Sequence, residues 1–258
     1  MAGRHPLVCL GAALVTAAAC PPARATDFVT LYTEEYPPFN WNDKATGTAT
    51  GLSHDIVVEL MRRAEIPVSA AAVMPWARAM ALTSKNASSC LFSMARTPER
   101  EANYAWVGPI GRNEWVMYAR REDHITLASL ADARPYTVGT IIGDAVIPLL
   151  RENQLKLSIV PYNRTNGPKL KMRRIQLWSE GRLPGLYMMR EMGITDVEAV
   201  LTFAHYDMYM ACNKAMDSHE VARLNALLRA MHRDGTVKRI YGSYGYDNYA
   251  PRAEQLAK

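Results

Sequence analysis

The stretch that decides the fold is Cys90 to Arg100, which reads Cys-Leu-Phe-Ser-Met-Ala-Arg-Thr-Pro-Glu-Arg. It begins as a short apolar run, which is typical of a buried strand, and then turns polar around Thr97-Pro98. Proline favours the first turn of a helix, because its missing N–H costs nothing there. Arg100 then lies on that turn, where a guanidinium beside free backbone N–H groups suits a carboxylate. From these residues alone, a surface salt bridge is the competing interpretation.

Strands and helices alternate on both sides of this stretch. Before it, the pattern predicts a helix that starts at Ser53, a residue suited to helix capping. After it, Tyr104 to Ala119 predicts two strands separated by a turn at Gly108-Pro109, and Asp144 is placed to cap a later helix. The alternation predicts an α/β architecture, with parallel sheets covered by helices.

The composition bounds the class of protein. The chain has 258 residues, of which 49% are hydrophobic, which is enough for one large domain or two small ones. Its formal charge of +5 is small and dispersed, so we expect no nucleic-acid partner. The six histidines show no metal-ligand spacing, and no GxSxG, GxGxxG or P-loop motif occurs. We therefore expect no metal, no cofactor and no catalytic residues.

The first residues have the pattern of an export signal. Arg4 precedes an apolar run from Leu7 to Ala19, and Ala23-Arg24-Ala25 is a small-x-small cleavage site. We expect residues 1–25 to be removed and the mature chain to be periplasmic, with acylation at Cys20 as the less favoured alternative. No later segment approaches the length needed to span a bilayer, so we expect no membrane insertion of the mature chain.

Cleavage after Ala25 would remove two of the four cysteines and leave Cys90 and Cys212. Because an exported protein folds in an oxidising compartment, we predict that these two form a disulfide. Two buried free thiols are the alternative.

Several motifs recur in a characteristic order along the chain. They are Tyr36-Pro37-Pro38-Phe39, the helix start Gly51–Asp55, Trp76 before a helix, Thr97-x-x-Arg100, Val138-Gly139 leading to Gly143, Gly181-Arg182, and Leu224-Asn225 through Asp234-Gly235-Thr236 to Ile240. With these motifs the chain resembles the bacterial extracellular solute-binding proteins of family 3, which serve ABC transporters of the amino-acid type. Pro75-Trp76-Ala77-Arg78 and Gly143-Asp144 resemble a divergent subgroup of that family.

This resemblance implies a two-lobed periplasmic binding protein fold of type II. Each lobe would be a mostly parallel sheet flanked by helices, with the ligand cleft between the lobes and closure by hinge motion. Lobe 1 would comprise residues 26–113 and 205–258, and lobe 2 residues 114–204. The resemblance also implies a monomer that binds a small molecule and presents it to the membrane permease of an ABC transporter.

The resemblance further implies a set of ligand-binding residues. Tyr36 would line the cleft, Trp76 would supply an apolar wall, and Arg100 would hold a ligand carboxylate. Ser93 and Ala95 would complete the anion site.

Three other positions are candidates, each with a structural alternative. Asp144 would face the anion site from lobe 2, although a helix cap is its first interpretation. Glu35, or its neighbour Glu34, could meet a cation, and an exposed loop acid is equally compatible with the sequence. Arg78 shares the short helix of Trp76, where a solvated arginine is the alternative.

The chain departs from the family pattern where an acid usually meets the α-ammonium group of an amino acid. Pro184 and Met189 stand at the usual acidic positions. We expect a small, carboxylate-bearing ligand that is amino-acid-like or a related organic acid, bound without chemical reaction. One alternative is a periplasmic dehydratase of the cyclohexadienyl type on the same fold, with Asp144 as its acid or base. Another is a ligand-sensing partner of a membrane receptor.

Overall fold

The computed structural model describes Met1 and residues 28–251. The predicted cleavage site after Ala25 and the alternative acylation site at Cys20 lie outside the described residues.

The strands are built from short apolar and β-branched runs. Within the described residues they are β1 (Thr30–Thr33), β2 (Trp41–Asn42), β3 (Ala49–Thr50), β4 (Ala72–Val73), β5 (Ser89–Ala95), β6 (Tyr104–Arg120), β7 (Thr137–Ile141), β8 (Lys156–Val160), β9 (Leu177–Gly181) and β10 (Val197–Asn213).

The helices alternate with these strands, as the sequence predicts. In the same part of the chain they are α1 (Leu52–Arg63), α2 (Trp76–Lys85), α3 (Pro98–Glu101), α4 (Ile147–Glu152), α5 (Asn166–Lys171), α6 (Arg182–Glu191), α7 (Ser218–Arg233) and α8 (Thr236–Ser243).

Eight of the strands form one sheet in the order β4-β1-β5-β10-β6-β9-β7-β8. The strands β4, β1 and β5 are parallel, and so are β9, β7 and β8. We call the first group, with α1, α2, α7 and α8, lobe 1, and the second group, with α4, α5 and α6, lobe 2. The predicted α/β fold with two lobes is confirmed.

Two long antiparallel strands, β6 and β10, connect the lobes. Asn113 of β6 pairs with Tyr206 of β10, and the pairing extends on both sides of this pair, to Arg120–Val197 at one end and Tyr104–Asn213 at the other. The predicted turn at Gly108-Pro109 is wrong, because β6 continues through it as one strand with only a register shift in the pairing opposite Met208 and Met210. The Asn113–Tyr206 pair lies close to the predicted lobe boundaries, at 113/114 and 204/205. Those boundaries stay a prediction.

Each face of the sheet is covered by a separate apolar core. In lobe 1, α1, α7 and α8 bury residues such as Leu60 and Leu228 against one face, while Ala79 of α2 packs against the other. In lobe 2, Leu150 of α4 and Met188 of α6 lie in two further clusters on opposite faces. Helices on both faces explain why the strands read as nearly continuous apolar runs.

A disulfide joins Cys90 and Cys212, which lie directly opposite each other on β5 and β10. Both cysteines are fully buried. The predicted disulfide is therefore confirmed, and the alternative of two free thiols is wrong.

The backbone of the turn after β1 packs closely against the N-terminus of α1. Gly51 has φ 123°, and a Cβ atom there would lie 2.5 Å from the carbonyl oxygen of Phe39. Gly51, not Ser53, occupies the N-cap position, so the predicted cap at Ser53 is wrong. Ser53 instead donates its backbone N–H to the Phe39 carbonyl at 2.8 Å, which fixes the turn against the helix.

Candidate functional site

A cavity of about 580 Å³ lies between the lobes at the ends of their parallel strands. Such an edge is where open α/β sheets usually bind ligands. The cavity is lined by Glu34, Glu35, Tyr36, Pro37, Trp115, Ile141, Ile142, Gly143, Asp144, Ala145, Arg164, Glu180, Pro184, Tyr187, Met188 and Tyr206.

Tyr36 is held at the centre of this lining by the crossing strands. Its hydroxyl oxygen accepts a hydrogen bond from Nδ2 of Asn113 at 2.9 Å and lies 3.5 Å from the hydroxyl of Tyr206. Its ring packs on Phe39 with centroids 5.5 Å apart. Burial, followed by the nearby Tyr206 and Glu180, raises the pKa of Tyr36 well above its usual value, so the phenol stays protonated.

Glu34 and Glu35 reach the cavity from the same turn. Oε2 of Glu35, an exposed residue, accepts a hydrogen bond from the backbone N–H of Asn42 at 3.2 Å. Burial raises the pKa of Glu34, and the nearby Arg100 partly offsets that rise. The two glutamates therefore present one half-buried and one exposed carboxyl group to the cavity.

Asp144 enters from lobe 2 on the loop after β7. The helix that follows begins at Ile147 with Val146 as its N-cap residue, so the predicted role of Asp144 as the helix cap is wrong. Its carboxylate instead accepts hydrogen bonds within the loop, from the Val146 N–H at 3.2 Å and from Oγ1 of Thr140 at 3.3 Å. Burial nevertheless raises the pKa of Asp144, because these bonds offset only part of the desolvation cost.

Glu180 is a fourth carboxyl group, and it lies at the end of β9. It is only 6% exposed, and its Oε1 accepts a hydrogen bond from the backbone N–H of Gly181 at 2.8 Å. Arg164, an exposed residue, is the one basic side chain among the lining residues that the structure describes.

Aromatic rings form the walls between these charged groups. Trp115 of β6 packs on Tyr206 of β10 with centroids 4.8 Å apart. Tyr187 of α6 closes the opposite side and contacts Trp41 of lobe 1, with centroids 5.6 Å apart. The cavity therefore combines carboxylates with aromatic side chains.

Arg100 belongs to a separate cluster, which lies near Glu34 of the cavity lining. Its guanidinium lies 5.9 Å from the ring centre of Trp76, and Nη1 donates to the carbonyl oxygen of Ala95 at 3.2 Å. Of the residues predicted for the site, Tyr36, Glu35 and Asp144 line the cavity, while Arg100, Trp76 and Ala95 form this second cluster.

Ser93 supports the turn from behind. It has φ 67°, and its hydroxyl donates to Oδ1 of Asn40, whose Nδ2 in turn donates to the carbonyl oxygen of Glu34 at 2.6 Å. Ser93 is thus connected to the cavity through the backbone of Glu34. Arg78 is exposed on α2 and lies among neither the cavity-lining residues nor the Arg100 cluster.

The two positions that depart from the family pattern have different environments. Pro184 lines the cavity, whereas Met189 is buried in the apolar core of lobe 2. No acid from either position faces the cavity. The carboxylates come from the strand ends and loops instead.

Sequence reasoning missed several lining residues, namely Trp115, Arg164, Glu180, Tyr187 and Tyr206. Trp115 and Tyr206 lie next to the predicted lobe boundaries, at 113/114 and 204/205, so those boundaries were a usable signal. Glu180 comes directly before the Gly181-Arg182 motif, which could have pointed to it. Arg164 and Tyr187 carried no comparable signal.

The chain matches the sequence model of the bacterial extracellular solute-binding proteins, family 3, over residues 29–247. No curated protein matches it significantly. Among the described residues, no helix is both long and apolar enough to cross a bilayer, and no group of three or more His, Cys, Asp or Glu side chains could hold a metal ion.

Several solved structures share the fold. The L-cystine solute receptor of Neisseria gonorrhoeae, in an unliganded open conformation, has a TM-score of 0.73 at 18% identity, covering 87% of this chain and 95% of that one. A histidine kinase sensor domain with similarity to periplasmic binding proteins has a TM-score of 0.68 at 18% identity, covering 84% and 96%. An ancestral amino acid-binding protein, described as a precursor of cyclohexadienyl dehydratase, has a TM-score of 0.66 at 18% identity, covering 84% and 95%.

Proposed function

The chain belongs to the bacterial extracellular solute-binding proteins of family 3, and we propose on that basis that it captures a small organic molecule between its lobes. The single observation that carries this proposal is the 580 Å³ cavity lined from both lobes and from the strands that join them. A site shared by two lobes couples occupancy to closure, because only the closed form makes both sets of contacts. The closed form would then be recognised by the membrane permease of an ABC transporter.

We propose an amino-acid-like ligand whose carboxylate is held by Arg100. Two observations support this role. The Arg100 guanidinium contacts a backbone carbonyl and an aromatic ring and, among the described residues, no carboxylate. Arg100 also lies near Glu34, which lines the cavity, so a ligand in the cavity can extend one end toward it. Ser93 and Ala95 would stabilise the backbone around that anion site.

We further propose that the mature protein is a periplasmic monomer released by cleavage near Ala25. It would bind and release its ligand unchanged.

Purified mature protein tests the proposal, because a ligand that stays bound identifies itself. Native mass spectrometry under gentle desolvation should reveal a co-purified small molecule, and its removal should lower the thermal midpoint. Ligand at about 100 times its Kd stabilises a protein by about 2.7 kcal/mol, which is readily detected. A protein that carries no ligand and responds to none of a broad panel of amino acids, organic acids, amines and short peptides would contradict the proposal.

A second function, that of a dehydratase on the same fold, is favoured by one observation. Asp144 lines the cavity from lobe 2, and burial raises its pKa, as expected for a group that exchanges protons in a reaction. Incubation with prephenate or arogenate tests it by product formation. Turnover that is lost in Asp144→Asn would support the dehydratase, and the binding function predicts no product with either substrate.

A further inference from the structure

A second cavity, of about 310 Å³, lies against the strand β6 that connects the lobes. We call it the hinge pocket. Its lining comes from β6, from the start of α6 in lobe 2 and from the segment after α8 in lobe 1, namely Arg112, Asn113, Glu114, Arg182, Leu183, Asn248, Tyr249, Ala250 and Pro251. None of these residues lines the larger cavity. Sites for small molecules usually have volumes of about 300–1,000 Å³, so the hinge pocket is large enough for a small ligand.

Asn113 brings a buried hydrogen-bond acceptor to the hinge pocket. The residue is 1% exposed, and its Nδ2 donates to the hydroxyl of Tyr36, which belongs to the larger cavity. In the described part of the chain, Oδ1 of the same amide has no hydrogen-bond partner. An unpaired acceptor at this depth is unfavourable. A molecule in the hinge pocket that offers an N–H or O–H group to Oδ1 removes this cost.

Arg182 provides a donor at the start of α6. Its Nε donates to Oε2 of Glu114 at 2.6 Å, and its Nη2 donates to Oγ1 of Thr202 at 2.5 Å. Within residues 28–251, Nη1 has no such partner. The two existing bonds hold the guanidinium in place, so a ligand acceptor can bond to Nη1 without first ordering a mobile side chain.

Both cations of the hinge pocket are already paired with carboxylates. Arg112 donates from Nε to Oδ1 of Asp207 at 2.6 Å and from Nη2 to Oδ2 at 3.1 Å. Arg182 forms its ion pair with Glu114. A ligand with a net charge would therefore find no unpaired counter-charge, and burying such a charge is unfavourable. The charge balance favours a neutral ligand.

The rest of the lining, apart from Asn248, is apolar or aromatic. Leu183 is buried, Ala250 and Pro251 are half-buried, and Tyr249 contributes an exposed ring. These surfaces suit a ligand with a small apolar or aromatic body. The polar groups on the pocket wall then fix the orientation of that body.

We infer that the hinge pocket binds a small neutral molecule through a primary carboxamide, whose N–H donates to Oδ1 of Asn113 and whose carbonyl oxygen accepts from Nη1 of Arg182. A carboxamide carries one donor group and one acceptor group on the same carbon atom and has no net charge. It therefore matches the acceptor, the donor and the charge balance of the pocket together. This site is separate from the larger cavity, in which the proposed function places the transported molecule.

Benzamide and three compounds of the same shape test the inference by NMR titration of the mature protein. Acetophenone has a methyl group in place of the amide nitrogen, benzoate has a charged oxygen there, and benzamidine is a cation with nitrogen in place of the carbonyl oxygen. Benzamide should bind at least about tenfold more tightly than each of the other three, because it alone offers both hydrogen bonds without charge. A smaller difference from any of the three overturns the inference, as does failure of benzamide to bind at up to about 10 mM.

Three tryptophan variants locate the site. Asn248→Trp adds a large side chain to the hinge pocket at an exposed position and should weaken benzamide binding at least about tenfold. Ala145→Trp makes the same addition to the larger cavity, and Lys238→Trp lies on α8 outside both linings; neither should change the affinity for benzamide. Unchanged affinity in folded Asn248→Trp overturns the inference. A loss in Ala145→Trp would place benzamide in the larger cavity and also overturns it, while the proposed function would stand in either case.

Discussion

The rings of Trp41 and Tyr187 pack with centroids 5.6 Å apart, and they belong to opposite lobes. Trp41 lies on β2, which pairs with β3, while Tyr187 lies on α6 and lines the cavity. A second contact crosses the same gap, since the guanidinium of Arg190 lies 5.5 Å from the ring centre of Tyr246. The described conformation is therefore held by direct contacts between lobes as well as by the strands that connect them.

Trp41 is not itself a lining residue of the cavity, and replacing it should favour the open form. An aromatic pair contributes about 0.5–1.5 kcal/mol beyond its buried area, so Trp41→Ala should shift the ratio of closed to open molecules by about two- to tenfold. Small-angle X-ray scattering of the unliganded protein should report a larger radius of gyration. Trp41→Phe, which keeps a ring, is the control and should behave like the wild type. An unchanged radius in Trp41→Ala would show that this contact does not restrain the lobes.

Glu34 should destabilise the unliganded protein at neutral pH. Burial raises its folded-state pKa above 4.5, the value in the unfolded chain. As the pH falls from the raised value toward 4.5, the folded protein takes up a proton before the unfolded chain does, so stability rises. Glu34→Gln removes this cost and should raise the thermal midpoint by about 1–3 °C at about pH 7, with the difference shrinking toward about pH 4.

Differential scanning calorimetry across this pH range provides the measurement. Glu152→Gln should leave the midpoint unchanged at every pH, because its carboxyl group is exposed. A lower midpoint for Glu34→Gln at neutral pH would mean that its attraction to Arg100 outweighs the cost of burial.

Arg100→Ala should weaken only ligands that carry a carboxylate. Loss of one partner of a buried charge pair typically costs about 2–5 kcal/mol, so affinity for a carboxylate-bearing ligand found in the panel should fall about 30-fold or more. Affinity for any ligand of the panel that lacks a carboxylate should change little, since it offers no carboxylate for Arg100 to hold. Arg229→Ala, at an exposed position of α7, is the matched control. Equal losses for both ligands would assign Arg100 a structural role.

The disulfide should contribute strongly to folding stability. It closes a loop between positions separated by 122 residues, and Cys90→Ala combined with Cys212→Ala should lower the free energy of unfolding by about 2–5 kcal/mol. Urea titration followed by circular dichroism measures the change. A matching loss in the wild type under reducing conditions would assign it to the disulfide bond, whereas an unchanged wild type would point to the packing of the substituted side chains.

The fold could be predicted because its signals are local or fixed by motif. Alternating strands and helices, the Tyr36–Phe39 turn and the cysteine pair all followed from the sequence. Helix starts were less predictable: Ser53 and Asp144 are good capping residues by type, yet the backbone of Gly51 packs so closely on Phe39 that the first of these caps falls on the glycine instead.

The site was predicted only in part, because its lining depends on which chain segments meet across the cleft. Tyr36, Glu35 and Asp144 are the residues named from the sequence that line one cavity. Glu180 and Tyr206 come from strands whose partners are distant in sequence, so no local pattern reveals that they face the same cavity. The four acids of the cavity likewise come from three separate segments, of which only Glu34-Glu35 carries adjacent acids.

The bridge between Cys90 and Cys212 also determines what happens when the backbone is cut. Residues 91–211 include all of lobe 2, whose loops are the accessible targets for a protease. A single cleavage there would leave two fragments joined through sulfur, and both would still supply strands to lobe 1. The nicked protein should run as one species in a non-reducing gel and as two only after reduction, so cleavage within lobe 2 need not release either fragment.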